Sequence, residues 1–223
     1  MNPAIVLPAP LTRRSFLAAG ASFSALALAG CATTEQAPPE PTFDPQYVAM
    51  YAALPYERFP VPAVDLRLMK PTHLRRYVPD PTGERPGTIV VDTGARYLYL
   101  VMEGGQALRY GVGIGRDGFT WSGRAEIARK AAWPTWTPPR EMILRQPEIA
   151  PYANGMPGGL DNPLGARALY IFQDGRDTLY RLHGASDPRT IGEAVSSGCV
   201  RLINQDVIDL YQRVPVGAPV LVY

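Results

Sequence analysis

From Thr88 to Gly115 the chain alternates β-branched or aromatic runs with glycine-bearing turns, and no other feature constrains its fold as strongly. Thr88-Ile89-Val90-Val91-Asp92 is followed by the turn Thr93-Gly94. Arg96-Tyr97-Leu98-Tyr99-Leu100-Val101-Met102 then runs to Glu103-Gly104-Gly105-Gln106, and Ala107 to Gly115 makes a third run. Runs of this length joined by glycine turns predict a hairpin or meander. Further strands are expected at residues 166–173, 178–182 and 219–222, with Gln173-Asp174-Gly175-Arg176-Asp177 as a hairpin turn. Helical signals are few. Asp187-Pro188 can start a helix that Ile191 to Val195 continues. Asn204 can cap another, in which Val207, Leu210, Tyr211 and Val214 fall on one face before Pro215 stops it. The expected fold class is mainly β with few short helices, in one domain over residues 87–223.

The N-terminus has a different character. Thr12-Arg13-Arg14-Ser15-Phe16-Leu17 leads into an alanine-rich apolar run that ends at Leu28-Ala29-Gly30-Cys31. That run is short for a spanning helix, so residues 1–30 read as a cleaved export signal of twin-arginine type. Its end resembles the lipobox of bacterial lipoproteins, which would make Cys31 the lipidated first residue of a periplasmic, membrane-anchored protein. Residues 31–86 then form a proline-rich tether, a short helix near Tyr47-Val48-Ala49-Met50-Tyr51 and an irregular lead-in.

Charge excludes whole classes of function. The full chain carries 22 Lys+Arg against 20 Asp+Glu, and removing Arg13 and Arg14 with the signal leaves 20 against 20. A neutral domain without a basic run gives no reason to expect a nucleic-acid partner, and the membrane is met through the lipid anchor only. Gly111-Val112-Gly113-Ile114-Gly115 has glycines spaced as in a dinucleotide loop. Such a loop must open a helix, however, and Arg116 to Trp121 contains no helix start, so these glycines are expected to let another backbone approach a sheet. Asp174 and Asp177 fit a solvated turn better than a glycosidase pair. His73 lies far in sequence from His183 and Cys199, leaving too few ligands for a metal site.

His183 and Cys199 carry the strongest chemical signal. Tyr180-Arg181-Leu182-His183-Gly184 puts a histidine at the end of an expected strand, and Ser196-Ser197-Gly198-Cys199-Val200-Arg201 follows with the cysteine sixteen positions later. An imidazole that takes the thiol proton makes the sulfur a nucleophile. Small residues before Cys199 allow a sharp turn that aims backbone N–H groups at a developing oxyanion.

In these residues the chain resembles the L,D-transpeptidases of bacterial cell walls, the YkuD-type catalytic domain. The family pattern is His-Gly, a spacer, then Ser/Thr-His-Gly-Cys with an apolar residue and often Arg. It is met at His183-Gly184, Ser196, Gly198-Cys199, Val200 and Arg201. Ser197 stands where many members carry a second histidine, a change shared with the periplasmic Ser-Ser-Gly-Cys branch. Likeness extends through Thr88 to Tyr99, Asp117 to Gly123, Pro134 to Pro139 and Asn162-Pro163-Leu164-Gly165.

The resemblance implies a β-sandwich or distorted barrel and a cysteine acyltransferase that needs no cofactor. Cys199 would attack the third residue of a peptidoglycan tetrapeptide stem and release D-Ala, and an amine would resolve the thioester. His183 would be general base and acid, oriented by the backbone carbonyl of Gly184. The N–H groups of Ser197, Gly198 and Cys199 would form the oxyanion hole, and Arg201 would bind a stem carboxylate or brace its loop. A second stem is the favoured acceptor, giving a 3-3 cross-link. The alternatives are an envelope protein amine, water as in an L,D-carboxypeptidase, or a catalytically silent wall-binding lipoprotein.

Overall fold

The computed structural model describes residues 42–116, 121–196 and 198–223. The expected export signal, Cys31 and most of the tether lie outside the described residues, as do Asp117 to Thr120 and Ser197.

Eleven strands dominate the described residues. Strands β2 (Ile89–Asp92), β3 (Tyr97–Met102) and β4 (Gln106–Gly111) form the expected antiparallel meander, and β1 (Arg76–Pro79) adds to the outer edge of β4. On the other side of β2 come β11 (Pro219–Val222), β6 (Gly123–Ala132), β7 (Arg167–Gln173), β8 (Arg176–Ala185) and β10 (Val200–Ile203), in that order across one nine-stranded sheet. The β7–β8 turn is Asp174-Gly175, with φ of 51° and 73°, the positive values that a two-residue hairpin turn of this twist requires. Two short strands, β5 (Ile114–Gly115) and β9 (Ala194–Ser196), pair in parallel.

The sheet curls until its last strand meets the chain beyond β4. Gly113 N–H donates to the Arg201 carbonyl at 2.9 Å and Arg201 N–H donates back at 2.8 Å. That closure encloses the main core, in which Leu98, Leu100, Leu108 and Tyr110 of the meander meet Ile127, Leu169, Ile171, Leu182, Val200 and Leu202. The barrel-like, mainly β fold with few short helices therefore follows from apolar side chains on one face of nearly every strand.

Helices α1 (Pro45–Met50) and α2 (Arg140–Arg145) are short, and α3 (Asn204–Arg213) is the longest. Val207, Leu210 and Val214 enter the main core as their spacing predicts. Asn204 does not cap α3: it is the first helical residue and its side chain accepts from the Ala166 N–H, just before β7. The helix expected to run on from Asp187 to Val195 is reduced to a single 3-10 turn at Pro188–Thr190, capped by Asp187, before the chain extends into β9.

The lead-in has more structure than its composition suggests. Tyr51, Leu66, Met69 and Leu74 bury against Ile191 and Ile203 in a second core. Below them Tyr51 Oη donates to the fully buried Asp206 at 3.1 Å, and Arg75 Nη1 lies 2.8 Å from Asp209. Tyr110 Oη donates to the same Asp209 at 2.6 Å, so residues 51–75 are fastened to α3 by a buried polar network. Burial pushes the Asp206 carboxyl up, while Arg75 and the Tyr51 hydroxyl pull it down.

Candidate active site

Strands β8 and β10 run parallel, with Leu182 opposite Val200, His183 opposite Arg201 and Gly184 opposite Leu202. Leu182, Val200 and Leu202 are fully buried in the main core. Successive side chains on a strand point to opposite faces. Arg181 and His183 on β8, and Cys199 and Arg201 at the start of β10, therefore share the face turned away from that core. One step before the Val200–Leu182 pair, the sulfur of Cys199 meets the backbone N–H of Arg181. His183 is the diagonal neighbour on the same face, where Cβ atoms lie roughly 7 Å apart, near enough for an imidazole and a thiol to meet.

Two features of His183 set its chemistry. Its ring is 4% exposed, and Nδ1 lies 2.8 Å from the Gly184 carbonyl oxygen. A carbonyl only accepts, so Nδ1 carries the proton and Nε2 is left with its lone pair, the tautomer a general base needs. Burial lowers the imidazole pKa to about 4; the Gly184 carbonyl opposes the fall, and the charges of Arg201 and Arg181 add to it. Burial raises the half-buried Cys199 thiol, against the Arg181 N–H and the guanidinium groups of Arg181 and Arg201. At rest, burial thus favours the uncharged forms of both groups.

The local sequence explains how this arrangement is held. Any Cβ on Gly184 would collide with Asn204 Oδ1 and the backbone N of Ala166. Asn204 Oδ1 accepts from Ala166 N at 2.9 Å and its Nδ2 donates to Ser186 Oγ at 3.2 Å, so the asparagine pins the chain leaving His183 to the chain entering β7. Asn162 does similar work in the Asn162-Pro163-Leu164-Gly165 stretch, donating to the carbonyls of Pro134, Met156 and Pro157 and accepting from Leu164 N. Gly198, at φ 129°, occupies a region L side chains avoid and turns the chain into Cys199.

The loop between the two reactive residues rests on the lead-in. Ile191 is buried there, Lys70 Nζ contacts Glu193 Oε1 at 2.9 Å, and the His73 ring occupies the space a Cβ on Gly192 would need. Arg96 Nη1 also donates to the Gly192 carbonyl at 2.6 Å. No local pattern in residues 42–75 announces this support.

The other sequence candidates fall as follows. Of the three N–H groups expected to meet an oxyanion, those of Gly198 and Cys199 belong to described residues and that of Ser197 does not. Asp174 sits in the hairpin turn, and Asp177 grips Arg181 through both carboxylate oxygens at 2.6 and 2.7 Å. His73 packs against Tyr97, with ring centroids 5.3 Å apart, and is not part of the His183–Cys199 face. Arg201 is half-buried, and its Nε has no hydrogen-bond partner among the described residues. Gly111 and Gly113 lie in and just after a strand, where a Cβ would strike His73 and the Thr190 carbonyl respectively, so close backbone approach is their use.

Comparison with known proteins identifies the family. The model of the YkuD family, the L,D-transpeptidase catalytic domain, matches residues 86–222. A putative L,D-transpeptidase from the ATP synthase subunits region of Fuscovulum blasticum is 37% identical over 136 residues, 60% of this chain and 68% of its own. The probable L,D-transpeptidase YbiS of Escherichia coli strain K12 is 40% identical over 138 residues, 59% of this chain but 43% of its own length. A solved structure from Brucella melitensis, described as a probable carnitine operon oxidoreductase, is 46% identical and covers 69% of this chain and 95% of its own, with a TM-score of 0.49.

Proposed function

Since this chain belongs to the L,D-transpeptidase (YkuD) catalytic-domain family, we propose that it is a peptidoglycan L,D-transpeptidase acting through a Cys199 acyl-enzyme. The carrying observation is the shared face of β8 and β10, which holds both His183, its Nδ1 engaged by the Gly184 carbonyl so that Nε2 keeps its lone pair, and Cys199, whose sulfur meets the Arg181 N–H.

Because both groups are uncharged at rest, the proton moves from Sγ to Nε2 as the sulfur attacks, and charge develops only when there is a carbonyl to receive it. Sγ bonds to the carbonyl carbon of the third stem residue, and the N–H groups beside Cys199 stabilise the oxyanion. His183 returns the proton to the departing amine of D-Ala, leaving a thioester. An incoming amine gives its proton to the same Nε2, attacks the thioester and regenerates the thiol. With a second stem as acceptor the product is a 3-3 cross-link; a protein amine or water would use the same steps. Arg201 supplies a cation for a stem carboxylate, a role supported by its place on the reactive face and by its Nε, which has no partner among the described residues. Export as a periplasmic lipoprotein anchored through Cys31 completes the proposal and rests on the sequence of residues 12–31 alone.

Incubating the protein with a tetrapeptide donor and reading products by mass tests this. Release of D-Ala with a cross-linked dimer is expected. A tripeptide product alone would replace transfer by hydrolysis, and no release of D-Ala would overturn the proposal.

A further inference from the structure

We propose that Arg129, stacked on the ring of Tyr170, binds a carboxylate carried by the donor peptide on the residue before the one that is acylated; the inference rests on the transpeptidase reading above. Arg129 on β6 lies opposite Tyr170 on β7, and Tyr170 lies opposite Arg181 on β8. Arg181 in turn meets the Cys199 sulfur through its N–H. These four residues form one row across the sheet, on the face away from the main core, and the row ends at the nucleophile. Beside it, Ala131 and Ala168 lie in line with His183.

The two arginines of the row are not equivalent. Both guanidinium carbons stand near the Tyr170 ring, at 4.4 Å for Arg129 and 4.5 Å for Arg181. Arg181 is already engaged: its two terminal nitrogens grip Asp177, and Nη1 also donates to the Tyr180 carbonyl at 2.8 Å. Among the described residues no carboxylate lies within ion-pair distance of Arg129. Asp177 feels its charge but is committed to Arg181, and Glu126 sits one row away, opposite Phe172. A guanidinium stacked on an aromatic ring keeps its N–H groups at its edge, free for a bidentate carboxylate.

The reach agrees with a peptide. Tyr170 is two strands from β10, so a guanidinium over its ring stands roughly 10 Å from the nucleophile's strand. That is the length of about three extended residues. A carboxylate on the residue before the acylated one falls within that span. The amide form of the same residue is neutral and has lost the second acceptor oxygen.

The test uses the full chain with Cys199→Ser, so that binding is read without turnover. Its probes are a tetrapeptide donor with a free carboxylate on the residue before the acylated one and the same peptide with a carboxamide there. The acid should bind about tenfold more tightly than the amide. Arg129→Gln should remove that preference by weakening the acid alone, whereas Arg129→Lys, which keeps a cation, should retain part of it. Equal weakening of both peptides would make Arg129 merely structural and overturn the proposal, as would a preference that survives Arg129→Gln or no binding of the acid. Turnover of the same donors by protein with its native Cys199 tests the reaction separately. Absent turnover with an intact preference would sink the reaction and spare the carboxylate site.

Discussion

The two faces of β8 and β10 differ by one residue in sequence and by nearly everything in chemistry. On one face Leu182, Val200 and Leu202 have no exposure and knit the main core. On the other, Arg181, His183, Cys199 and Arg201 gather an imidazole, a thiol and two guanidinium groups, with Arg181 paired to Asp177. The stable face sets the position of the reactive one, because slipping the register by one residue would exchange them. Two backbone hydrogen bonds between Gly113 and Arg201 hold that register from the opposite edge of the curled sheet.

The largest expected effect lies on the core face. Leu202→Ala should cost about 2–5 kcal/mol in a chemical melt, since a fully buried leucine leaves a cavity. Cys199→Ser, on the other face, should melt within about 0.5 kcal/mol of the parent while losing all acylation. Equal destabilisation by both would dissolve the contrast.

The reactive face should reveal itself next through pH. The folded pKa of His183, about 4, lies below its ordinary 6.5, so the unfolded chain takes up the proton first as pH falls. Stability present above pH 6.5 is therefore lost on the way down to pH 4, by up to about 3 kcal/mol. His183→Gln should flatten that slope. Melts between pH 5 and 7, above most carboxylate titration, read it; an unchanged slope in the variant would mean that His183 is not buried neutral.

A smaller loss should follow Asn204→Ala, which strands the Ala166 N–H in a buried place, at about 1–3 kcal/mol. It should also slow alkylation of Cys199 by disturbing Gly184 and with it the His183 ring. The smallest effect is expected for Lys70→Ala. Its pair with Glu193 is exposed and contributes little, so the loop before Cys199 should keep its place on the buried Ile191 instead.

The parts of the fold legible in sequence are those whose residues bury locally alternating faces: the meander from Ile89 to Gly111, the Asp174-Gly175 hairpin and the terminal strand Pro219–Val222. Strand β6 was not legible. Its residues Gly123 to Ala132 are rich in Ala, Glu, Arg and Lys, good helix formers, and Ile127 is its one fully buried side chain. Pairing with β7 and β11 on either side overrides that preference. Ile191 looked like the body of a helix, but its burial partners Tyr51, Leu66 and Leu74 lie more than a hundred residues earlier, where no local pattern can point to them. Asn204 carries a capping residue's chemistry and spends it on Ala166 across the fold. At the candidate site, His183 and Cys199 could be read from residue type and spacing. Arg129 and Tyr170 could not, because only the β6–β7–β8 register brings them into line with the cysteine.

The central claim is that Cys199 becomes acylated while its face of the sheet stays folded. Mixing the full chain with a tetrapeptide donor, quenching in acid and mapping the modified peptide tests it most directly. The account predicts one tripeptidyl group per chain, on Cys199, labile to hydroxylamine as a thioester must be and absent from Cys199→Ser. An acyl group on Ser196, or one that persists in Cys199→Ser, would contradict it.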